Sequence, residues 1–194
     1  MAIEICGNWH KGFVYDFHTL DSTYLGCENG KDKFKNVRSE MGELVCKLKY
    51  TNLNQKERSS YVSKITDLLY KFKGLNTFDY FIPAPHSKDR EFQLVYEIIK
   101  KLGEINEKEV LLNLICKSNN TQIKDIYNSE DKNKILSNSI TFCGDYDNII
   151  CSKNILIFDD IYSSGATLTN IVNFLKENTK VNKICVLALT KTKG

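Results

Sequence analysis

A chain of 194 residues with 42% hydrophobic and 26% charged side chains has the composition of one globular domain with a small appendage, which excludes two independent enzymes and a disordered chain. Its 27 basic and 24 acidic residues give a formal charge of +3 with the signs interspersed, so charge neither requires nor excludes a nucleic-acid partner, and Lys100-Lys101 and the Lys-rich last residues read as solvated surface. Cys6, Cys27, Cys46, Cys116, Cys143, Cys151 and Cys185 form neither a Cys-x-x-Cys pair nor a regular even-numbered framework, the N-terminus lacks a basic segment followed by an apolar one, and no apolar run has membrane-spanning length; the expectation is an untargeted protein of the reducing cytoplasm.

Along the chain, Phe13, Tyr15 and Phe17 alternate with other residues as a strand would, and Cys27-Glu-Asn-Gly-Lys-Asp supplies turn chemistry. Residues 1–50 are therefore expected to be a small β-rich hood or appendage, and 51–194 an α/β core. Tyr61, Ile65, Leu68, Leu69 and Phe72 recur on one helical face, with Gly74 placed to stop that helix. Phe78 to Pro85 reads as a buried strand closed by prolines. Phe92, Val95, Tyr96, Ile99 and Leu102 make a second stripe stopped at Gly103, and Val110 to Ile115 is the next strand.

The polar stretch from Lys117 to about Asn138 carries too little apolar surface for a core and is long for an idle connection, which suggests a lid. Beyond it, Asn154 to Phe158 is an apolar strand, Leu168, Ile171, Val172 and Leu175 form a helical stripe, and Ile184 to Leu189 is a further apolar run, together a βαβ unit. Strands apolar on both faces and alternating with helices indicate a parallel sheet covered on two sides. In such sheets ligands bind at the carboxyl ends of the strands, which directs attention to the residues just after Phe158 and Pro85.

After Phe158 the chain reads Asp159-Asp160-Ile161-Tyr162-Ser163-Ser164-Gly165-Ala166-Thr167. Adjacent carboxylates at a strand end can accept hydrogen bonds from vicinal hydroxyls such as those of a ribose. Ser163, Ser164, Gly165, Ala166 and Thr167 carry little bulk, so their backbone N–H groups can surround a phosphate while the following helix offers it a positive end. Each part alone is ordinary turn or N-cap chemistry; the order strand, acidic pair, small loop, amphipathic helix is what points to a sugar phosphate.

This segment resembles the signature of type I phosphoribosyltransferases: apolar residues, two acids, three residues, then Thr-Gly-Gly/Ala-Thr, with Ser164 here in place of the first Thr. Pro83-Ala84-Pro85-His86 followed by Lys88, Arg90, Phe92 and Gln93, together with Leu44 to Tyr50 and Thr121-Gln122, is similar to the ComF-like branch of that family. The resemblance implies a type I phosphoribosyltransferase-like parallel sheet flanked by helices and a site for 5-phosphoribosyl-1-pyrophosphate. Asp159 and Asp160 would hold the ribose and, indirectly through ribose or water, Mg²⁺; residues 163–167 would hold the 5-phosphate; His86, Ser87, Lys88 and Arg90 would hold the pyrophosphate.

The implied reaction is transfer of the phosphoribosyl group to a nitrogen nucleophile of unidentified nature with release of pyrophosphate, and the implied class of protein is a glycosyltransferase of nucleotide metabolism. The alternatives are a non-catalytic sensor of the phosphoribosyl donor or a nucleotide, and an accessory protein of DNA uptake, the latter by family association alone. Homodimerisation is common for the fold. The chain departs from the branch in two places: its Gly-Phe-Asn-Gln is reduced to Glu91-Phe92-Gln93, and its N-terminal zinc ribbon has no counterpart, since Cys6, His10, His18 and Cys27 fit no standard zinc spacing.

Overall fold

The computed structural model describes residues 2–86, 90–117, 140–144 and 148–193. Near the N-terminus come β1 (Ile3–Glu4), β2 (Lys11–Phe17), β3 (Thr19–Glu28) and β4 (Lys31–Arg38). The alternation read in the sequence is real: in β2, Val14 is buried on one face while Phe13 and Tyr15 pack on the other. β3 and β4 form a hairpin whose turn residues, Asn29 at φ 53° and Gly30 at φ 73°, both take the left-handed conformation that a tight two-residue hairpin turn requires.

α1 (Glu40–Tyr50) is a helix that apolar patterning did not announce; Ser39 caps it by accepting from the Gly42 N–H at 3.0 Å, and its hydroxyl donates to the Phe17 carbonyl. α2 (Gln55–Leu69) opens on a capping box between Asn54 and Glu57. It ends before Gly74, which instead takes φ 95° at the entrance to a short 3₁₀ turn, so Phe72 lies beyond the helix. β5 (Tyr80–Pro83) is shorter than the apolar run that signalled it.

α3 (Leu94–Asn106) passes through Gly103 rather than stopping there, and the left-handed residue that ends it is Glu107 at φ 54°. The glycine serves a close approach: a Cβ at 103 would collide with Val110 Cγ2 and the Lys108 carbonyl. The single strand expected over Val110 to Ile115 is two elements, β6 (Glu109–Val110) in the main sheet and β7 (Ile115–Lys117), which pairs outside it with β8 (Ile140–Phe142). Cys116 and Cys143, which no spacing rule linked, meet as a disulfide at this hairpin with Cα atoms 5.8 Å apart.

β9 (Asn154–Tyr162) runs four residues past Phe158, α4 covers Ala166–Asn178, and β10 covers Lys183–Lys191. The main sheet has the order β1-β2-β10-β9-β5-β6, with β2, β10, β9, β5 and β6 mutually parallel and β1 antiparallel at the edge. Leu156, Phe158, Leu187, Leu189 and Phe81 face α1, α2 and α3, whereas Ile155, Ile157, Val186 and Ala188 face α4. Each large side chain buried this way contributes about 1.5–3 kcal/mol, which is why both faces are covered. The fold is therefore α/β, a parallel sheet flanked by helices, with the C-terminal ends of β5 and β9 side by side.

Candidate functional site

Asp159 and Asp160 are consecutive residues near the C-terminal end of β9, so they leave the sheet on opposite faces. Asp160 follows Phe158 onto the α1 side and meets the Lys49 ammonium at 2.6 Å; the two side chains are 15% and 18% exposed. Asp159 accepts from the Asp160 N–H at 2.8 Å. Burial, followed by the charge of Asp160, raises the Asp159 carboxyl to about 7, against the opposing pull of that N–H, Lys49 and Lys117.

Behind the pair, Thr190 Oγ1 donates to the Asp160 carbonyl at 3.1 Å and faces His18 Nδ1 at 3.1 Å. With its single hydrogen committed, the hydroxyl accepts from the imidazole, which assigns the ring proton to Nδ1. Burial, then Arg38 and Lys49, lowers the His18 pKa, consistent with a neutral ring.

The loop after β9 is open. Ser163, Ser164, Ala166 and Thr167 are accessible at the surface; the N-cap, Gly165, has no side chain to cap α4, and Ser164 Oγ accepts from the Ala166 N–H at 3.4 Å. Gly165, at φ 77°, is the turning point, where a Cβ would come within 2.7 Å of the Tyr162 hydroxyl. The first N–H groups of a helix lack intrahelical acceptors, so α4 turns its positive end toward solvent at the end of the acidic strand.

A cavity of about 260 Å³ joins these parts to the end of β5. Of the residues singled out in the sequence it brings together Asp159, Asp160, Thr167, His86 and Arg90, while Ser163, Ser164, Gly165 and Ala166 stand outside its lining. Ser87 and Lys88, and the suggested lid apart from Lys117, fall outside the described residues. The first turn of α3 also lines the cavity, with the Tyr96 ring 5.6 Å from His86.

Lys49, Lys117 and Tyr96 line it too; the sequence put Lys117 at the start of the suggested lid and Tyr96 in a helical stripe, and gave none of the three a part in holding ligand. Lys49 belongs to the Leu44 to Tyr50 segment, but only its place on a helix aimed at Asp160 gives it a role. Three cations therefore face two acids, one of which titrates near neutrality, and two helix N-termini open at the same end: the arrangement favours a polyanion that also carries hydroxyls.

Neither a protein-family model nor a curated protein sequence matches the chain. Among solved structures, it is similar to a hypoxanthine phosphoribosyltransferase from Staphylococcus aureus at 16% identity over 74% of this chain and 67% of that one, with a TM-score of 0.41. It is also similar to a hypoxanthine-guanine phosphoribosyltransferase from Bacillus anthracis, with a HEPES molecule in the active site, at 18% identity over 71% and 72% of the two chains, with a TM-score of 0.38. Among the described residues, no helix is long and apolar enough to cross a membrane.

Proposed function

We propose that the chain binds 5-phosphoribosyl-1-pyrophosphate with Mg²⁺ and transfers its phosphoribosyl group to a nitrogen nucleophile. The observation that carries this reading is the convergence, at the adjoining ends of β5 and β9, of an acidic pair, three cations and the open start of α4. Backbone donors at 163–167 take the 5-phosphate, Asp159 and Asp160 take the ribose hydroxyls, and Arg90 chelates pyrophosphate oxygens with Lys49 and Lys117 as point charges nearby. His86, Ser87 and Lys88 belong to the same pyrophosphate loop in this proposal.

Asp159 and Asp160 would hold Mg²⁺ indirectly, through ribose hydroxyls or water, which suits an ion that keeps several of its waters and seldom takes an all-protein cage. Mg²⁺ bound there would neutralise charge on the departing pyrophosphate. In the reaction the nitrogen lone pair forms a bond to the anomeric carbon as the carbon–oxygen bond to pyrophosphate breaks; the electron pair leaves with pyrophosphate and the displaced N–H proton passes to solvent. The ribose carboxylates and phosphate donors align the anomeric carbon for that displacement. Within residues 1–50 the β3–β4 hairpin, which stands apart from the main sheet, acts as the hood, whereas β1, β2 and α1 belong to the core sheet and the helical layer on it; the cytoplasm, where the donor is made available, is the proposed location.

Calorimetric titration with the phosphoribosyl donor plus Mg²⁺, followed by a pyrophosphate-release assay against a panel of nitrogen bases, tests the proposal. Saturable binding lost in Asp159→Asn/Asp160→Asn, with pyrophosphate release on adding a base, is expected. Undiminished donor binding in that double variant would falsify the ribose assignment, and binding without release under any base would convert the reading to a donor sensor.

A further inference from the structure

A second cavity opens at the opposite end of the sheet, where β2, β9 and β10 begin. Its volume is about 480 Å³, within the range of small-molecule sites and larger than the cavity beside Asp160. Its walls are the first residues of β2, β9 and β10 and the loop after α2, from Phe72 to Phe78.

The floor is apolar: Leu156 and Leu187 are 2% exposed, and Phe13, Phe72 and Phe78 supply aromatic walls, with Phe13 and Phe72 edge to face at 6.4 Å. The mouth is cationic. Lys11, Lys73 and Lys183 line it, and among the described residues none of the three has a carboxylate within ion-pair distance. Asp79, which directly follows the lining residue Phe78, is engaged: it accepts from the Asn154 N–H at 2.7 Å and faces Lys153 at 3.9 Å. Thr77 directs its hydroxyl to the Gly74 carbonyl at 2.6 Å, so that donor is already committed within the loop.

We propose that this cavity binds a flat aromatic anion, its ring against Phe13, Phe72 and Phe78 and its negative group among Lys11, Lys73 and Lys183. An apolar body alone would leave the three cations at the rim without a counter-charge, and a bare anion would leave the aromatic floor wet; a ligand joining the two satisfies both. The site does not depend on the phosphoribosyl reading, because it shares no residue with the cavity at Asp160.

The probe is 2-naphthoate, titrated by its own fluorescence, with 2-naphthol as the uncharged ring and inorganic phosphate as the charge without a ring. One equivalent of 2-naphthoate should bind about tenfold more tightly than either comparator. Lys73 and Lys183 are exposed, so Lys73→Ala/Lys183→Ala keeps the fold, checked by circular dichroism, and should weaken binding about tenfold, which is about 1.4 kcal/mol shared by two solvent-facing ion pairs. Arg90→Ala, in the other cavity, should leave binding unchanged. Absence of saturable binding, equal affinity for 2-naphthol, or loss in Arg90→Ala rather than in the lysine pair would each overturn the assignment.

Discussion

Replacing Lys49 by methionine keeps most of the side chain's length and removes its charge, leaving Asp160 without its partner at 2.6 Å. Exposed ion pairs contribute at most about 1 kcal/mol, while breaking a fully buried one costs about 3–5 kcal/mol. With side chains 18% and 15% exposed, this pair falls between the two, and the expected loss is about 2 kcal/mol. For a chain of this length that corresponds to roughly 4–8 °C in Tm.

The assay is a double-mutant cycle by chemical denaturation at neutral pH: wild type, Lys49→Met, Asp160→Asn and the double variant. Because the single variants each strand one polar partner, the double variant should be more stable than the sum of the two losses predicts, with a coupling of about 1–2 kcal/mol. A coupling indistinguishable from zero would refute the view that Lys49 is the counter-charge of the acidic pair.

The Asp159 carboxyl, raised to about 7 from 3.8 chiefly by burial, makes the folded state hold a proton that the unfolded state has already released. The native form binds more protons across that window, so this group's contribution falls as pH rises from about 4 to about 7 and is level beyond it. Asp159→Asn should remove the slope and stabilise the protein at pH 8 relative to pH 5 by roughly 2–4 kcal/mol compared with wild type; parallel denaturation curves for both proteins at both pH values would count against the buried-acid reading. Gly165→Ala places a Cβ against the Tyr162 ring at a left-handed φ of 77°, and should cost about 1–2 kcal/mol of stability and weaken donor binding, measured by thermal melting with and without ligand. Gly103→Ala, whose Cβ would meet Val110 inside the α3–β6 contact, should destabilise by about 1–3 kcal/mol although alanine favours helices; a neutral effect by denaturation would show that the contact relaxes freely.

The α/β alternation was legible because buried parallel strands are continuously apolar and amphipathic helices recur every three to four residues, so Ile155 to Phe158 and Leu168 to Leu175 announce themselves locally. The acidic pair and small loop were legible for the same reason: strand, acids, loop and helix are consecutive. Element ends were not. Gly74 and Gly103 looked like stops, but one turns a loop and the other makes room for Val110, a requirement visible only once α3 and β6 are packed.

What the sequence determined by itself is the βαβ unit that carries Asp159, Asp160 and the 163–167 loop, since everything in it depends on neighbours within a few residues. What tertiary structure decided is which distant groups meet it: Lys49 from α1 beside Asp160, His18 behind Thr190, Lys117 across the cavity, and Cys116 against Cys143. The physical reason is range. Hydrophobic period and turn chemistry act over a turn or a pleat, whereas charge pairing and cavity shape depend on how the sheet orders strands far apart in the chain, and no spacing rule encodes that order.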